Sequence, residues 1–339
     1  MVTIADVARH AGVSPSTVSY VLSGKRSISE QTRNRVEESI RVLGYHPHAG
    51  ARSLASSRAN VIALVLPLRT DMHVPILMQF ATSVVTGARE HDHDVLLLTN
   101  DEGPDGLRRV TRSALVDAVI VMDIEVNDSR LPVLREVGLP AVLIGFPADP
   151  AGLTCVDWDF VAAAAMCVDH LADLGHREIA LLAPPVAVFD RGTGFAQRTT
   201  SGFESAVARR GLQAVIRPCD PAHSAVRDTV KRLFDDHPGL TGLVIHNEAA
   251  VAPLLETLRG LGRRVPGDVS VVAMCPEDLT EHVSPQLTVV PIPAEEIGRR
   301  AVQLVMGKLD GADDVPAATL IDPHLLPGES TAAFIAATT

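Results

Sequence analysis

The sequence predicts a small all-α helix-turn-helix head joined to an α/β core of two doubly wound lobes. Short capped helices with glycine turns occupy residues 1–46, and from residue 61 onward short apolar runs alternate with helix-length segments in two successive sets. The 339 residues exceed one compact domain, and 46% of them are hydrophobic. Because aromatic residues make up only 3%, Ala, Val, Leu and Ile must fill the cores, which favours parallel α/β layers.

Charge is divided unevenly along the chain. Residues 1–58 contain 8 lysines and arginines against 4 acidic residues, a net charge of +4, together with His10, His46 and His48. The remaining residues carry 22 against 37, a net charge of −15. A basic head on an acidic body suits DNA binding, because phosphate neutralisation supplies most of the sequence-independent affinity. Charge alone leaves open a chance basic surface on an ordinary domain.

The chain shows no sign of export or membrane insertion. It has no apolar run long enough to cross a bilayer, and Met1–Asp6 lacks a basic segment followed by an apolar one. The cysteines form no CxxC pair, which is typical of reduced thiols, and they are Cys155, Cys167, Cys219 and Cys275. We therefore expect a cytoplasmic protein without a membrane partner.

The first helix of the head is predicted over Ile4–His10. Thr3 has the spacing of an N-cap, because Asp6 follows three residues later and can complete a capping box. Gly12 can adopt the positive φ of the turn that ends the helix.

The second helix begins with a hydroxyl N-cap, Ser14, and with Pro15 at the first helical position, where its missing N–H costs nothing. It extends to about Leu22 and is rich in small hydroxyl residues, which allow close approach to bases and phosphates. Ser29 caps a third helix over Glu30–Leu43. Two short helices around a glycine turn, braced by a third, form a helix-turn-helix whose second helix enters the major groove.

Matching positions run through this head in order: Thr3-Ile4-Ala5-Asp6-Val7-Ala8, Ala11-Gly12-Val13-Ser14, Thr17-Val18-Ser19, Val21-Leu22, Thr32-Arg33 and Leu43-Gly44-Tyr45, with Pro47 two residues on. They resemble the lactose-repressor/galactose-repressor (LacI/GalR) family of transcriptional regulators. The resemblance implies that the second helix reads bases through Pro15, Ser16 and Tyr20. It also implies phosphate contacts by Thr3, Ser14, Thr17, Ser19, Ser29 and Thr32. A helical bundle that does not bind DNA is the alternative.

Tyr20 departs from the family pattern, which usually has arginine at this position. Arginine is the ordinary bidentate reader of guanine, and tyrosine cannot form the same fork. The sequence therefore predicts an operator that differs from the common family operator at the matching base pair. The alternative is a Tyr20 side chain packed under the helix.

Residues 47–58 are predicted to form a hinge. The segment is rich in small residues and weakly helical, so alone it should be disordered. The alternative is a plain linker. The resemblance implies a hinge helix that folds on DNA, with His48, Ala51 and Leu54 at the DNA and Leu54 wedged into a base step. Gly50 should destabilise this helix by about 0.5–1 kcal/mol relative to alanine.

The core, residues 59–339, alternates apolar runs with helical segments. The first set of runs is Val61–Leu66, Val95–Thr99, Ala118–Met122 and Ala141–Ile144, and the second set is Ile179–Ala183, Ala214–Arg217, Gly242–Ile245 and Val269–Met274. Helical segments include Gln79–Glu90, Val161–Leu174, Gly202–Arg210 and Ala249–Leu261. This alternation looks like the periplasmic-binding-protein-like core of the same family. That topology implies a first lobe of about 59–158 and 287–318, and a second lobe of about 159–286 and 319–339.

Ligands of such sheets lie beyond the carboxyl ends of the strands, here in the cleft between the lobes. The residues expected to bind the ligand are Arg69, Asp123, Phe146, Arg198, Thr199, Asn247, Glu248 and Cys275. The resemblance implies arginine at Thr199 and aspartate at Glu248 and Cys275. Because a monosaccharide needs many charged and amide partners, these departures favour a larger or less polar metabolite. They also leave open a regulator without an effector.

An enzyme and a solute-binding protein are the competing interpretations. The sequence lacks GxGxxG in its first βα unit, GxxxxGK[ST] and GxSxG. We interpret Gly192–Gly194 as a flexible loop and His91–Asp94 as a solvated polar turn rather than a metal site. Cys275 has no identifiable histidine partner for nucleophilic catalysis. We therefore expect no catalysis, no cofactor and no metal, while a solute-binding protein would need an export signal and no basic head.

The sequence thus predicts a homodimeric transcription repressor with two kinds of partner. One is double-stranded, palindromic operator DNA, since paired helix-turn-helix heads read symmetric half-sites. The other is a small-molecule effector, a sugar or another metabolite, whose binding between the lobes changes the spacing of the heads. A tenfold change in operator affinity requires about 1.4 kcal/mol of differential binding.

Overall fold

A computed structural model describes residues 2–23, 26–45, 58–69, 72–280 and 283–334. The head contains the predicted three helices, α1 (Ile4–Ala11), α2 (Pro15–Ser23) and α3 (Glu30–Leu43). Val7, Val18 and Val36, one from each helix, have no exposed surface and form its small apolar core. Gly12 ends α1 with a φ of 65°, as the turn requires.

The described part of the core contains eleven strands. They are β1 (Val61–Val65), β2 (Asp94–Leu98), β3 (Ala118–Val121), β4 (Ala141–Ile144), β5 (Thr154–Trp158), β6 (Glu178–Ala183), β7 (Gln213–Pro218), β8 (Gly242–Ile245), β9 (Ser270–Cys275), β10 (Thr288–Pro291) and β11 (Ala318–Ile321). The α-helices are α4 (Val74–Glu90), α5 (Gly103–Arg112), α6 (Leu131–Val137), α7 (Phe160–Asp173), α8 (Val186–Asp190), α9 (Gly194–Arg210), α10 (His223–Asp236), α11 (Val251–Gly260) and α12 (Ala294–Leu309). Short 3-10 turns occupy Glu248–Ala250 and Glu277–Thr280.

The strands form two parallel sheets, one in each lobe. The first sheet has the order β11-β5-β4-β3-β1-β2, and the second has the order β10-β9-β8-β6-β7. Every residue of β3 and β4 is buried, as expected for strands covered on both faces by helices. The doubly wound two-lobe core predicted from the alternation of runs is therefore confirmed.

The chain crosses between the lobes at positions that differ from the predicted boundaries. β10 pairs with β9 in the second sheet, so the return to the first lobe follows Pro291 rather than residue 286. β11 pairs with β5, so the first sheet extends to Ile321 rather than residue 318. Both strands are only four residues long, and pairing with strands distant in sequence decides which sheet each one joins.

The segment Gly192–Gly194 is not the flexible loop that the sequence suggested. Thr193 is fully buried, and two backbone hydrogen bonds of 2.8 Å join the segment to Ile124–Val126 of the first lobe. A Cβ atom on Gly194 would lie 2.8 Å from the carbonyl oxygen of Phe146. Glycine is required here because the two lobes approach each other through their backbones.

Candidate nucleic-acid interface and ligand cleft

Hydroxyl groups organise the start of α2. The Ser14 Oγ accepts a 3.2 Å hydrogen bond from the Thr17 backbone N–H, as an N-cap does. The same Oγ lies 2.8 Å from the hydroxyl oxygens of both Ser16 and Thr17. Pro15 occupies the first helical position. The hydroxyl cluster therefore lies at the positively polarised N-terminus of α2.

The residues expected to read bases lie on the surface. Pro15 and Ser16 are exposed, and Tyr20 has 37% of its surface exposed. The Arg26 guanidinium lies 5.5 Å from the centre of the Tyr20 ring. Tyr20 is therefore not packed under the helix. We call the exposed face formed by Ser14, Pro15, Ser16, Thr17 and Tyr20 the α2 surface.

The other expected phosphate contacts in the head include two further helix N-caps. Thr3 forms a capping box with Asp6, and the Ser29 Oγ donates a 2.9 Å hydrogen bond to Thr32 Oγ1. The hydrogen bond from Thr3 lowers the pKa of Asp6, so a carboxylate stands beside this phosphate position. Ser19 is half-buried on α2. The expected hinge residues His48, Ala51 and Leu54 lie outside the described residues.

The cleft between the lobes encloses a cavity of about 1010 Å³, including its opening to solvent. Its lining follows the carboxyl ends of strands in both sheets, with Asp123 after β3, Pro184 after β6 and His246 after β8. Three of the predicted ligand residues lie in this lining, namely Asp123, Asn247 and Glu248. The cleft is therefore where the strand pattern predicted it.

Two predicted arginines lie behind the lining as ion-pair partners. The Arg69 guanidinium pairs with Asp123 and, at 3.0 Å, with Asp101. The Arg198 guanidinium pairs with Asp157, a cavity-lining residue of β5. Each arginine therefore neutralises a carboxylate of the cavity wall.

Phe146, Thr199 and Cys275 do not line the cavity, contrary to expectation. The Phe146 ring lies 5.4 Å from the Arg198 guanidinium and packs against it. The Thr199 hydroxyl donates a 3.0 Å hydrogen bond to the Phe195 carbonyl within α9. Cys275 is fully buried in the apolar core of the second lobe, where burial raises the pKa of its thiol. Whether these three residues line the cavity depends on the direction of their side chains. The position of a residue after a strand does not predict that direction.

Several lining residues were not predicted. Phe160 and Phe195 form a cluster with His246 in which ring centres lie 5.6–5.7 Å apart. His73, Asp157 and Arg191 are further polar lining residues that were not predicted. His246 follows β8 directly, so the rule of strand carboxyl ends, applied to every residue type, would have found it.

Burial shifts the pKa values of two cavity histidines and of one cavity carboxyl group. Burial lowers the pKa of His246 to about 4 and also lowers the pKa of His73. Burial raises the pKa of Glu248 to about 7. The Nδ1 atoms of both histidines are buried and have no hydrogen-bond partner among the described residues. The cleft thus contains polar groups that a bound molecule could satisfy.

The 91–94 turn was the other polar candidate. His91, Asp92 and Asp94 are exposed, as expected for a solvated turn, whereas His93 is largely buried with its Nδ1 2.7 Å from the His91 carbonyl oxygen. No three His, Cys, Asp or Glu residues of the described chain are grouped to hold a metal ion. Nor does any helix in the described ranges have the length and hydropathy to cross a membrane.

Family comparisons match the two parts of the chain separately. Residues 3–48 match the family described as bacterial regulatory proteins, lacI family. Residues 168–331 match the periplasmic binding protein-like domain.

Relatives and solved structures extend the similarity over nearly the whole chain. The chain is 28% identical over 340 residues to the HTH-type transcriptional regulator CelR of Thermobifida fusca, covering 97% of this chain and 98% of that protein. It is 27% identical to the repressor CytR of Escherichia coli K12, covering 98% and 97%. A CelR–cellobiose complex aligns with a TM-score of 0.70 at 26% identity over 97% and 100% of the chains. The lac repressor dimer bound to operator and the anti-inducer ONPF aligns with a TM-score of 0.85 at 22% identity over 98% and 99%.

Proposed function

Since this chain belongs to the LacI family of bacterial regulatory proteins, we propose that it is a sequence-specific DNA-binding transcriptional repressor controlled by a small effector. The observation that carries the proposal is the α2 surface, where a capped helix N-terminus, exposed hydroxyls and Tyr20 stand together on a basic head. A regulator that binds chromosomal DNA acts in the cytoplasm, and we propose that location.

The α2 surface would enter the major groove. Pro15, Ser16 and Tyr20 are accessible for base contacts, and the hydroxyls of Ser14 and Thr17 lie at a helix end that favours phosphate. The N-caps Thr3 and Ser29, with Thr32 and Ser19, would position the head on the backbone rather than specify sequence. Tyr20, held beside Arg26, would give the operator its distinctive base pair.

The hinge proposal concerns residues 47–58. We propose that this segment folds on DNA as a helix paired with its dimer mate, with Leu54 wedging a base step and with His48 and Ala51 beside it. A homodimer supports this arrangement because two heads read a two-fold symmetric site. The lac repressor, to which this chain is similar in fold, was solved as a dimer on operator.

The effector would bind in the cleft, since the cavity spans both lobes and presents unsatisfied polar atoms. Asp123, Asn247 and Glu248 are the predicted ligand residues that support this proposal, with Arg69 and Arg198 acting through their ion pairs. The similar CelR was solved with cellobiose. Effector binding changes operator affinity only through its different affinity for the open and closed lobes, about 1.4 kcal/mol for each tenfold change.

Selection of genomic duplexes tests the proposal. Purified full-length protein is mixed at low ionic strength with fragments of its own genome, and the retained duplexes are sequenced. We expect enrichment of a two-fold symmetric sequence bound by two chains, with half-sites spaced by about one helical turn. Failure to retard any genomic duplex under these conditions would overturn the function.

A further inference from the structure

The cleft concentrates the few aromatic rings of this chain. The sequence contains only 8 phenylalanines, 2 tyrosines and 1 tryptophan. Phe80, Phe160 and Phe195 all line the cavity, and the buried Trp158 ring stands edge-on to Phe160 at 5.0 Å. Flat apolar rings of this kind favour a ligand that has an apolar or aromatic face of its own.

Many of the polar side chains that would bind sugar hydroxyls already form ion pairs or hydrogen bonds within the protein. Arg69 and Arg198 pair with the carboxylates of Asp123 and Asp157. The Asn247 amide nitrogen donates hydrogen bonds to the carbonyl oxygens of Cys219, at 2.8 Å, and Ala183, at 3.5 Å, so its N–H groups are committed to the fold. A sugar bound here would leave buried hydroxyls unpaired, and each of these is costly.

Two polar groups in the lining of the same cavity can still bind a ligand, namely His246, which contacts the rings, and Glu248. The His246 side chain is 2% exposed and its Nδ1 has no partner among the described residues, although the ring packs against Phe160 and Phe195. Glu248, two residues further on, lines the same cavity. Among the described residues its carboxylate has no ion-pair partner, and it accepts a hydrogen bond from its own backbone N–H. Glu248 is half-buried, so its carboxylate has lost part of its hydration without gaining a cation, and a bound cation would stabilise it.

We propose that the effector of this cleft is an aromatic amine, whose ring packs on Phe160 and Phe195 and whose ammonium group donates to Glu248. The proposal rests on the function proposed above and specifies the chemical class of its effector. Burial raises the pKa of Glu248 to about 7, because no cation of the described residues lies close enough to offset the loss of hydration. Arg191 also lines the cavity, so an aromatic carboxylate is the alternative that the experiment must distinguish.

Phenethylamine and phenylacetate are matched probes, since they share a phenyl ring and differ in the charge of the side chain. Trp158 is the single tryptophan of the chain, it is fully buried, and it contacts Phe160, so its fluorescence reports occupancy of the ring cluster. Full-length protein is titrated at neutral pH with both probes and with cellobiose. We expect phenethylamine to bind at least about tenfold more tightly than the other two, as one desolvated ion pair allows. Tighter binding of phenylacetate or cellobiose, or no binding of phenethylamine at millimolar concentration, would overturn the proposal.

One variant and its control test whether Glu248 binds the ammonium group. Glu248→Gln should weaken phenethylamine binding by at least about tenfold, whereas Glu204→Gln, on the exposed side of α9, should leave it unchanged. Wild-type affinity in the Glu248→Gln protein would refute the ammonium contact. Duplex binding is measured on the same samples. Protein that binds its operator but not phenethylamine rejects this effector class and leaves the regulator intact, whereas protein that binds no duplex rejects the function itself.

Discussion

The α2 surface and the cleft are two binding sites built in opposite ways. The α2 surface comes from residues 14–20, is exposed, and presents hydroxyl groups at a helix end. The cleft draws on residues from Met72 to Ile292, is enclosed, and is lined mainly by apolar and aromatic side chains. The polar groups of the α2 surface are hydrated, whereas those of the cleft are largely shielded from water. The two should therefore respond differently to salt, to pH and to the loss of a charge.

Salt should separate the two sites most strongly. Operator binding by a dimer that neutralises several phosphates should weaken about a thousandfold or more between about 50 and 200 mM salt, because counterions are released on binding. Phenethylamine binding in the cleft should change by less than about threefold, since enclosed charges are poorly screened. Both affinities are measured across the same salt series. Equal salt dependence of the two affinities would contradict the claim that only the α2 surface binds through screened charges.

Replacing an arginine should lower the free energy of unfolding strongly in the cleft and hardly at all on the head. Arg198→Met leaves Asp157 buried without its partner and should lower the free energy of unfolding of the core by about 3 kcal/mol. Arg9→Met removes an exposed pair with Asp6 and should leave the free energy of unfolding almost unchanged, because solvent screens exposed pairs. Urea unfolding measures both, and the double variant Asp157→Asn, Arg198→Met should recover much of the loss. Similar costs for the two single variants would contradict the burial argument.

The titration of Glu248 should make the stability of the core depend on pH between about 4.5 and 7. Its pKa of about 7 lies above the ordinary value of 4.5, so folding favours the protonated form and stability falls as pH rises between these values. Cys275 and Asp278 lie near this side of the cavity, and the buried His246 stays neutral above pH 5. Glu248→Gln should match the wild type at pH 5 and exceed its stability at pH 8 by on the order of 2 kcal/mol. A thermal melt series tests this, and a wild type more stable than the variant at pH 8 would contradict it.

A smaller effect is expected from Tyr20, whose change alters which bases are preferred. Tyr20→Arg should move the preferred base pair at one symmetric position towards guanine, by about tenfold in relative affinity. Tyr20→Phe keeps the ring beside Arg26 and should retain the wild-type preference unless the hydroxyl reads a base. Duplex selection with each protein gives the answer. Identical preferences for wild type and Tyr20→Arg would show that this side chain does not read bases.

The same contrast explains what the sequence could predict. The three head helices, their hydroxyl caps and Gly12 follow from spacings of three or four residues, and the structure has them where the sequence placed them. The buried strands were found for a similar reason, because a run such as β3 is apolar at every position. Local patterns of this kind are set by backbone hydrogen bonding and burial, which act over one element.

The cleft depends on directions that no local pattern encodes. Cys275 ends a strand at the predicted edge, yet its side chain faces the core of the second lobe. Thr199 and Arg198 are neighbours on α9, but one bonds within its helix and the other reaches Asp157 in the opposite lobe. Gly192–Gly194 resembled a loop because glycine is permissive, whereas Gly194 is needed for the close approach of the two lobes. These outcomes are fixed by tertiary packing.

Duplex binding by three charge variants is the sharpest test of which surface of the protein recognises DNA. Ser16→Asp places a carboxylate on the α2 surface, where an acid near a helix N-terminus favours the helix, so lost binding would not reflect unfolding. Asn34→Asp adds the same charge to the exposed part of α3, and Glu248→Gln alters only the cleft. In anisotropy titrations with the selected operator and no effector, we expect Ser16→Asp to abolish specific binding while the other two bind within about threefold of wild type. Operator affinity that survives Ser16→Asp, or falls equally in all three proteins, would contradict the assignment of DNA recognition to the α2 surface.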